Sequence, residues 1–212
     1  MNLENYKDGY IASIEVSHGE IRIWDYKQDI NDNNESCLKG QFQGHKSGIN
    51  CLLHLDKFDA NLIASAGMDN KIIIWNLKIN ASIKLLDAHD KGVNCLNSIT
   101  MNDRLYLISG SNDNKCKVWD VENDYDLVAK LEGHSRKINC ICVFDKIKNK
   151  SLIATGSDDG SIKIWNMVKF ECIKEIKCNG EVKHIIHGDF IGRNFIIYAE
   201  RYGIAIKKLD YK

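Results

Sequence analysis

The sequence predicts an all-β chain assembled from repeated four-stranded antiparallel units, and three observations predict it. Tryptophan recurs at positions 24, 75, 119 and 165, at intervals of 51, 44 and 46 residues. A second marker, Gly44-His45, Ala88-His89 and Gly133-His134, recurs at intervals of 44 and 45. The segments between these markers alternate apolar and polar residues and are separated by Asn/Asp/Gly turn clusters, the pattern of short half-buried strands. A fixed period of this length marks a repeat architecture, in which each unit buries its apolar faces against its neighbours.

Each element follows from the register. The tryptophans close the strings IRIW, IIIW, CKVW and IKIW, and each is followed by an acid or its amide: Asp25, Asn76, Asp120 and Asn166. The distances from His to the next Trp are 30, 30 and 31 residues. Six residues after each His stands a cysteine, Cys51, Cys95 and Cys140, within GINCL, GVNCL and KINCI. In the middle repeat the pattern predicts strands over Val93 to Asn97, Leu105 to Ser109, Cys116 to Trp119 and Leu127 to Leu131. Asn102-Asp103, Asn112-Asp113-Asn114 and Asn123-Asp124 supply the turns between them. Counting back from Trp75, Trp119 and Trp165, an aspartate recurs six residues earlier (Asp69, Asp113, Asp159) and a hydroxyl ten residues earlier (Ser65, Ser109, Thr155).

Gly-His opening and Trp-Asp closing a period near 44 residues resembles the WD-repeat family. The resemblance covers nearly the whole chain and is strongest from about residue 38 to residue 167. It implies a β-propeller of about five four-stranded blades, as a partial or unusual ring, with approximate units 1–43, 44–87, 88–132, 133–177 and 178–212. It also implies three hydrogen-bonded tetrads: His45, Ser65, Asp69 and Trp75; His89, Ser109, Asp113 and Trp119; His134, Thr155, Asp159 and Trp165. Side-chain chemistry suits such a chain, because indole only donates, hydroxyl and imidazole do both, and carboxylate accepts. A His, a Ser and an Asp together also suggest a catalytic triad. The grouping recurs three times, however, as a structural device does and an active site does not.

The ends depart from the pattern. In the first repeat His18 and Ile14 occupy the aspartate and hydroxyl positions, and there is hardly room for a strand before residue 10. In the last repeat Lys207, Arg201, Ile197 and Asn179 stand where Trp, Asp, hydroxyl and His are expected. Strands are still predicted over Val182 to Ile186, Phe195 to Ala199 and Gly203 to Lys208, with no fourth strand after them. Three readings fit: a piece of a longer protein, which is preferred; completion by a partner or a second copy; or Met1 to Lys7 supplying the fourth strand of the last blade. Lys27 to Ser36 reads as a loop insertion.

Composition narrows function. Lys plus Arg and Asp plus Glu are both 29, so no whole-chain charge favours nucleic acid or anionic lipid. No apolar run reaches the ~18 residues of a membrane span, and residues 1–10 carry no signal-peptide core. A cytosolic or nuclear protein with reduced thiols is expected. No CxxC pair is present among the eight cysteines, and His184 and His187 fall on opposite strand faces, so no metal site is expected. SAGMDN and TGSDDG lack the lysine of a phosphate-binding loop. No cofactor and no catalysis are expected.

The resemblance implies binding of protein or peptide partners on the face that carries the inter-strand loops. Its candidates are the residues after each His (Lys46, Lys91, Arg136) and before each tetrad Asp (Met68, Asn112, Asp158), which could equally be solvated loop residues. The leading reading is a non-catalytic scaffold or adaptor within a larger complex. The alternative is an RNA-associated or ribosome-assembly factor of the same fold.

Overall fold

The computed structural model describes residues 2–3, 10–15, 19–25, 38–144, 151–190, 193–201 and 203–209. Every regular element among them is a β-strand, and the strands form five antiparallel sheets. His18 and the Lys27 to Ser36 insertion lie outside the described residues. The chain divides into two compact bodies, Met1–Val93 and Asn94–Lys212.

The N-terminal body holds two sheets. The first contains β1 (Asn2–Leu3), β2 (Tyr10–Glu15), β3 (Glu20–Asp25) and β4 (Leu38–Gln43), in that spatial order. This corrects two expectations. A short first strand does fit before residue 10, and it pairs with β2 through Asn2 opposite Ile11 and Leu3 opposite Tyr10. Asn2 and Leu3 therefore belong to the first sheet and not to the last; Met1 and residues 4–7 lie outside the described residues. The second sheet contains β5 (Ile49–His54), β6 (Leu62–Gly67), β7 (Ile72–Asn76) and β8 (Ala81–Leu86). Between the two sheets, Ala12, Ile21, Ile23 and Phe42 pack against Ile49, Ile63, Ile73 and Trp75. Phe42 meets Trp75 edge-on, with ring centroids 5.4 Å apart.

The third sheet, which starts at the boundary between the bodies, contains β9 (Val93–Met101), β10 (Arg104–Ser111), β11 (Cys116–Asp120) and β12 (Asp126–Leu131). Its first two strands run several residues beyond the alternating pattern. Asn102 and Asp103 make this possible: both adopt positive φ, 50° and 60°, as a tight two-residue hairpin turn requires. The fourth sheet contains β13 (Ile138–Phe144), β14 (Leu152–Ser157), β15 (Ser161–Asn166) and β16 (Glu171–Lys177). The fifth has three strands, β17 (Val182–Phe190), β18 (Arg193–Glu200) and β19 (Gly203–Lys208).

Two apolar layers hold the C-terminal body together. Ile108, Val118 and Leu131 of the third sheet meet Ile138, Ile153 and Trp165 of the fourth. The opposite face of the fourth sheet, including Ala154, Ile162 and Ile164, packs against Val182, Ile185, Ile196 and Tyr198 of the fifth. β6 and β14 are buried along their whole length, which explains their continuous apolar and small-residue composition. Each fully buried Ile or Val contributes roughly 1.5–3 kcal/mol. The fold is thus a series of antiparallel blades of the propeller type. Among the described residues no helix is long and apolar enough to cross a membrane.

Candidate functional site

The recurring polar residues converge at the turn that joins the second and third strands of a sheet. In the second sheet the Trp75 indole donates to Ser65 Oγ at 2.8 Å. Ser65 Oγ lies 2.7 Å from His45 Nε2, and His45 Nδ1 lies 2.9 Å from Asp69 Oδ1. The fourth sheet repeats this: Trp165 to Thr155 Oγ1 at 2.8 Å, Thr155 to His134 Nε2 at 2.8 Å, and His134 Nδ1 to Asp159 Oδ2 at 2.7 Å. The roles follow from the donor inventory. Indole N–H donates to the hydroxyl oxygen, the hydroxyl donates to Nε2, and Nδ1–H donates to the carboxylate. In the third sheet Trp119 donates to Ser109 Oγ at 3.0 Å, and Asp113 accepts from the Lys115 amide at 3.0 Å. His89 is buried, and its amide donates to the Asn70 carbonyl at 3.2 Å.

These groups are not arranged for nucleophilic chemistry. Ser65, Ser109 and Thr155 are 0% exposed, and each hydroxyl is occupied by an indole donor. No substrate carbonyl can reach them. The network instead lets buried polar groups meet their partners. Burial pushes the His134 imidazole below its ordinary value, and the opposing pull of Asp159 does not offset this, so the ring is neutral at pH 7. Burial alone would raise Asp159, but hydrogen bonds from Ser161, His134 and the Ser135 amide hold it below the usual carboxylate range. Asp69 behaves alike, its burial outweighed by the Lys46 amide and His45.

The recurrent small residues have local causes. A Cβ on Gly44 would stand 2.8 Å from the Trp75 ring, which explains the glycine before His45. Asn70, Asn114 and Gly160, one residue after each tetrad aspartate, adopt φ of 69°, 71° and 74°. That left-handed conformation suits Asn and Gly best. The acid or amide after each Trp closes the next turn: Asn76 Oδ1 accepts from the Lys78 amide, Asp120 Oδ1 from Glu122, and Asn166 Oδ1 from Val168, at 2.9–3.1 Å.

Two sets of residues escaped the spacing rules. In the first sheet Trp24 donates to Ser13 Oγ at 2.7 Å, so the hydroxyl is present and Ile14 does not replace it. Ser13 faces Arg22 just as Ser65 faces Ile73, but one extra residue before Trp24 shifts the count from ten to eleven. The second set is Asn50, Asn94 and Asn139. Their amides donate to the carbonyls of Val93, Ile138 and Val182, the first strand residue of the following repeat, at 2.8, 2.9 and 2.8 Å. Asn50 and Asn139 are the extra residues of β-bulges, which re-aim a side chain. Asparagine inside GINCL, GVNCL and KINCI, in the middle of otherwise apolar strand strings, was the available signal.

The candidate binding residues divide. Lys46, Lys91 and Arg136 are exposed, as is Met68 at 54%. Asn112 and Asp158 are only partly exposed and are held from below. Asn112 Oδ1 accepts from Asn94 at 2.8 Å, and Asp158 accepts from Asn139 at 2.6 Å and Lys183 at 2.7 Å. The described cysteines are thiols; Cys140 is pushed up by burial to about 12, outside the range of reactive thiolates. Among the described residues no cluster of three or more His, Cys, Asp or Glu is placed to hold a metal. Cys37 lies outside them.

Similarity to known proteins agrees with this geometry. A family model described as WD domain, G-beta repeat matches residues 36–76, 80–120 and 125–166, more than half of the chain. The chain is similar to proteins named DDB1- and CUL4-associated factor 13. The Xenopus tropicalis relative is 34% identical over 73 residues, which is 34% of this chain and 16% of that protein. The Danio rerio relative matches to the same extent, and the Mus musculus relative is 28% identical over 83 residues, 39% of this chain and 18% of that protein. The matches thus span under a fifth of the relatives' length. Repeating sheets closed by Trp, opened by His and knit by hydroxyl and aspartate make the chain a member of the WD-repeat family.

Proposed function

We propose that this chain is a non-catalytic adaptor that holds protein or peptide partners within a larger complex, working in the cytosol or nucleus. The observation that carries this reading is the recurrence of an exposed basic side chain one or two residues after the buried histidine of three successive repeats: Lys46, Lys91 and Arg136. Lys46 and Arg136 project from turns whose Lys46 and Ser135 amides are held by Asp69 and Asp159, so a partner meets preset groups there and little ordering entropy is lost. The relatives' names associate those proteins with DDB1 and CUL4, and by analogy this chain serves as a linker in an assembly of that kind.

The same three cations would suit RNA. Capture from a native lysate separates the two readings. The adaptor reading expects the full chain to retain defined proteins after nuclease treatment, with modest salt dependence. Loss of all partners on nuclease treatment, with binding that falls steeply as salt rises, contradicts it and supports the RNA-associated reading.

A further inference from the structure

The loop between β16 and β17 carries a pair of residues with chemistry of its own. Asn179-Gly180 is the single Asn-Gly pair in the chain. Asparagine is a thermolabile residue, and its weak point is the side-chain amide carbon, Cγ. The backbone nitrogen of the next residue can attack it and close a five-membered ring. The attack is intramolecular, so positioning replaces a collision between two molecules. Glycine favours it, because no Cβ crowds the attacking nitrogen.

The fold leaves this pair able to react. Asn179 is exposed, and both residues lie outside the strands. The Asn179 backbone N–H donates to Glu200 Oε2 at 2.8 Å. That bond anchors the residue and leaves the reacting groups alone. Neither the Asn179 side-chain amide nor the Gly180 N–H makes a hydrogen bond among the described residues. Packing accounts for the glycine: a Cβ at Gly180 would stand 3.0 Å from Arg201 Cβ, at the turn between β18 and β19.

The preceding repeat supplies a contrast. Asp159-Gly160 could close the same ring from a carboxyl group, but both of its reacting groups are engaged. Asp159 accepts from Ser161 through Oδ1 at 2.6 Å and from His134 and the Ser135 amide through Oδ2 at 2.7 and 3.0 Å. The Gly160 N–H donates to the Ser157 carbonyl at 3.3 Å. A carboxylate is also a poorer electrophile than an amide.

We propose that Asn179 is a self-modification site, deamidated through Gly180 with water as the sole co-reactant. The Gly180 nitrogen bonds to Asn179 Cγ and its proton passes to solvent. The Cγ–Nδ2 bond breaks, and the side-chain nitrogen takes up a proton and leaves as ammonia. Water then opens the succinimide. Addition at Cγ gives aspartate; addition at the main-chain carbonyl carbon of residue 179 gives isoaspartate, with the chain routed through Cβ. Either product places a carboxylate where three other repeats have a buried histidine, beside a pocket already lined by Asp158, Asp159 and Glu181. The reaction needs no partner, so it stands apart from the adaptor reading.

The test incubates the full chain at mildly alkaline pH and digests it with trypsin at mildly acidic pH. Mass spectrometry then follows the peptides Cys178–Lys183 and Ser151–Lys163 against an unincubated control. Cys178–Lys183 should gain the mass difference between an amide and an acid and separate into two products, aspartate and isoaspartate. Ser151–Lys163, which carries Asp159-Gly160, should form no isoaspartate. Asn179→Gln should lose the conversion over the same period, because the longer side chain closes a less favourable ring. Gly180→Ala should slow it. An unshifted Cys178–Lys183 peptide from the folded chain overturns the proposal. Undiminished conversion in Asn179→Gln also overturns it, as does isoaspartate forming at Asp159 as fast as at Asn179.

Discussion

The hydroxyls of Ser65 and Thr155 each lie between an indole donor and an imidazole nitrogen, with no exposed surface. Removing the carboxylate at the far end of such a chain leaves a buried imidazole N–H without its acceptor, which costs about 1–3 kcal/mol. Asp159→Ala should therefore lower the melting temperature by roughly 3–9 °C, and a melting curve superimposable on wild type would contradict the network. The same residues set an acid response. The His134 pKa is depressed from 6.5 on folding, so below that value the unfolded chain binds more protons and stability falls as pH drops. Asp69 and Asp159 are also depressed, so their stabilisation persists above about pH 3.8 and is lost as pH falls through their folded values. At this scale the sequence was legible wherever spacing was preserved. Ser13 was misread because one inserted residue moved it off the count, although its strand pairing is that of Ser65.

At the scale of the strand, bulges do two jobs. On first strands they turn Asn50 and Asn139 towards the next repeat. On fourth strands a bulge beside each of Trp75, Trp119 and Trp165 places Ile83, Val128 and Ile173 outward, 46%, 43% and 45% exposed. Such bulges twist an edge strand and discourage edge-to-edge pairing. Alternation predicted the strands but not these irregularities, because a bulge changes pairing without changing composition. Asn139→Ala removes the donor to the Val182 carbonyl and to Asp158 at once. Urea unfolding should show a loss of roughly 1–3 kcal/mol, with the midpoint moving down. An unchanged midpoint would show that these bonds are incidental.

At the scale of the molecule, the repeat was readable from Trp, His and turn residues, because each packs or bonds within its own period. The ends were not, because β1 pairs through backbone groups over only two residues and leaves no side-chain pattern. Function is legible only in part. The buried network fixes a frame, and the residues that remain outward are the ones available to a partner. In the proposed function, binding resides in those outward cations while stability resides beneath them. The most direct measurement pairs a thermal melt with lysate capture for a Lys91→Glu, Arg136→Glu double variant. Wild-type melting with loss of the captured proteins is expected; retention of those proteins by a normally folded variant would show that the outward cations do not carry binding.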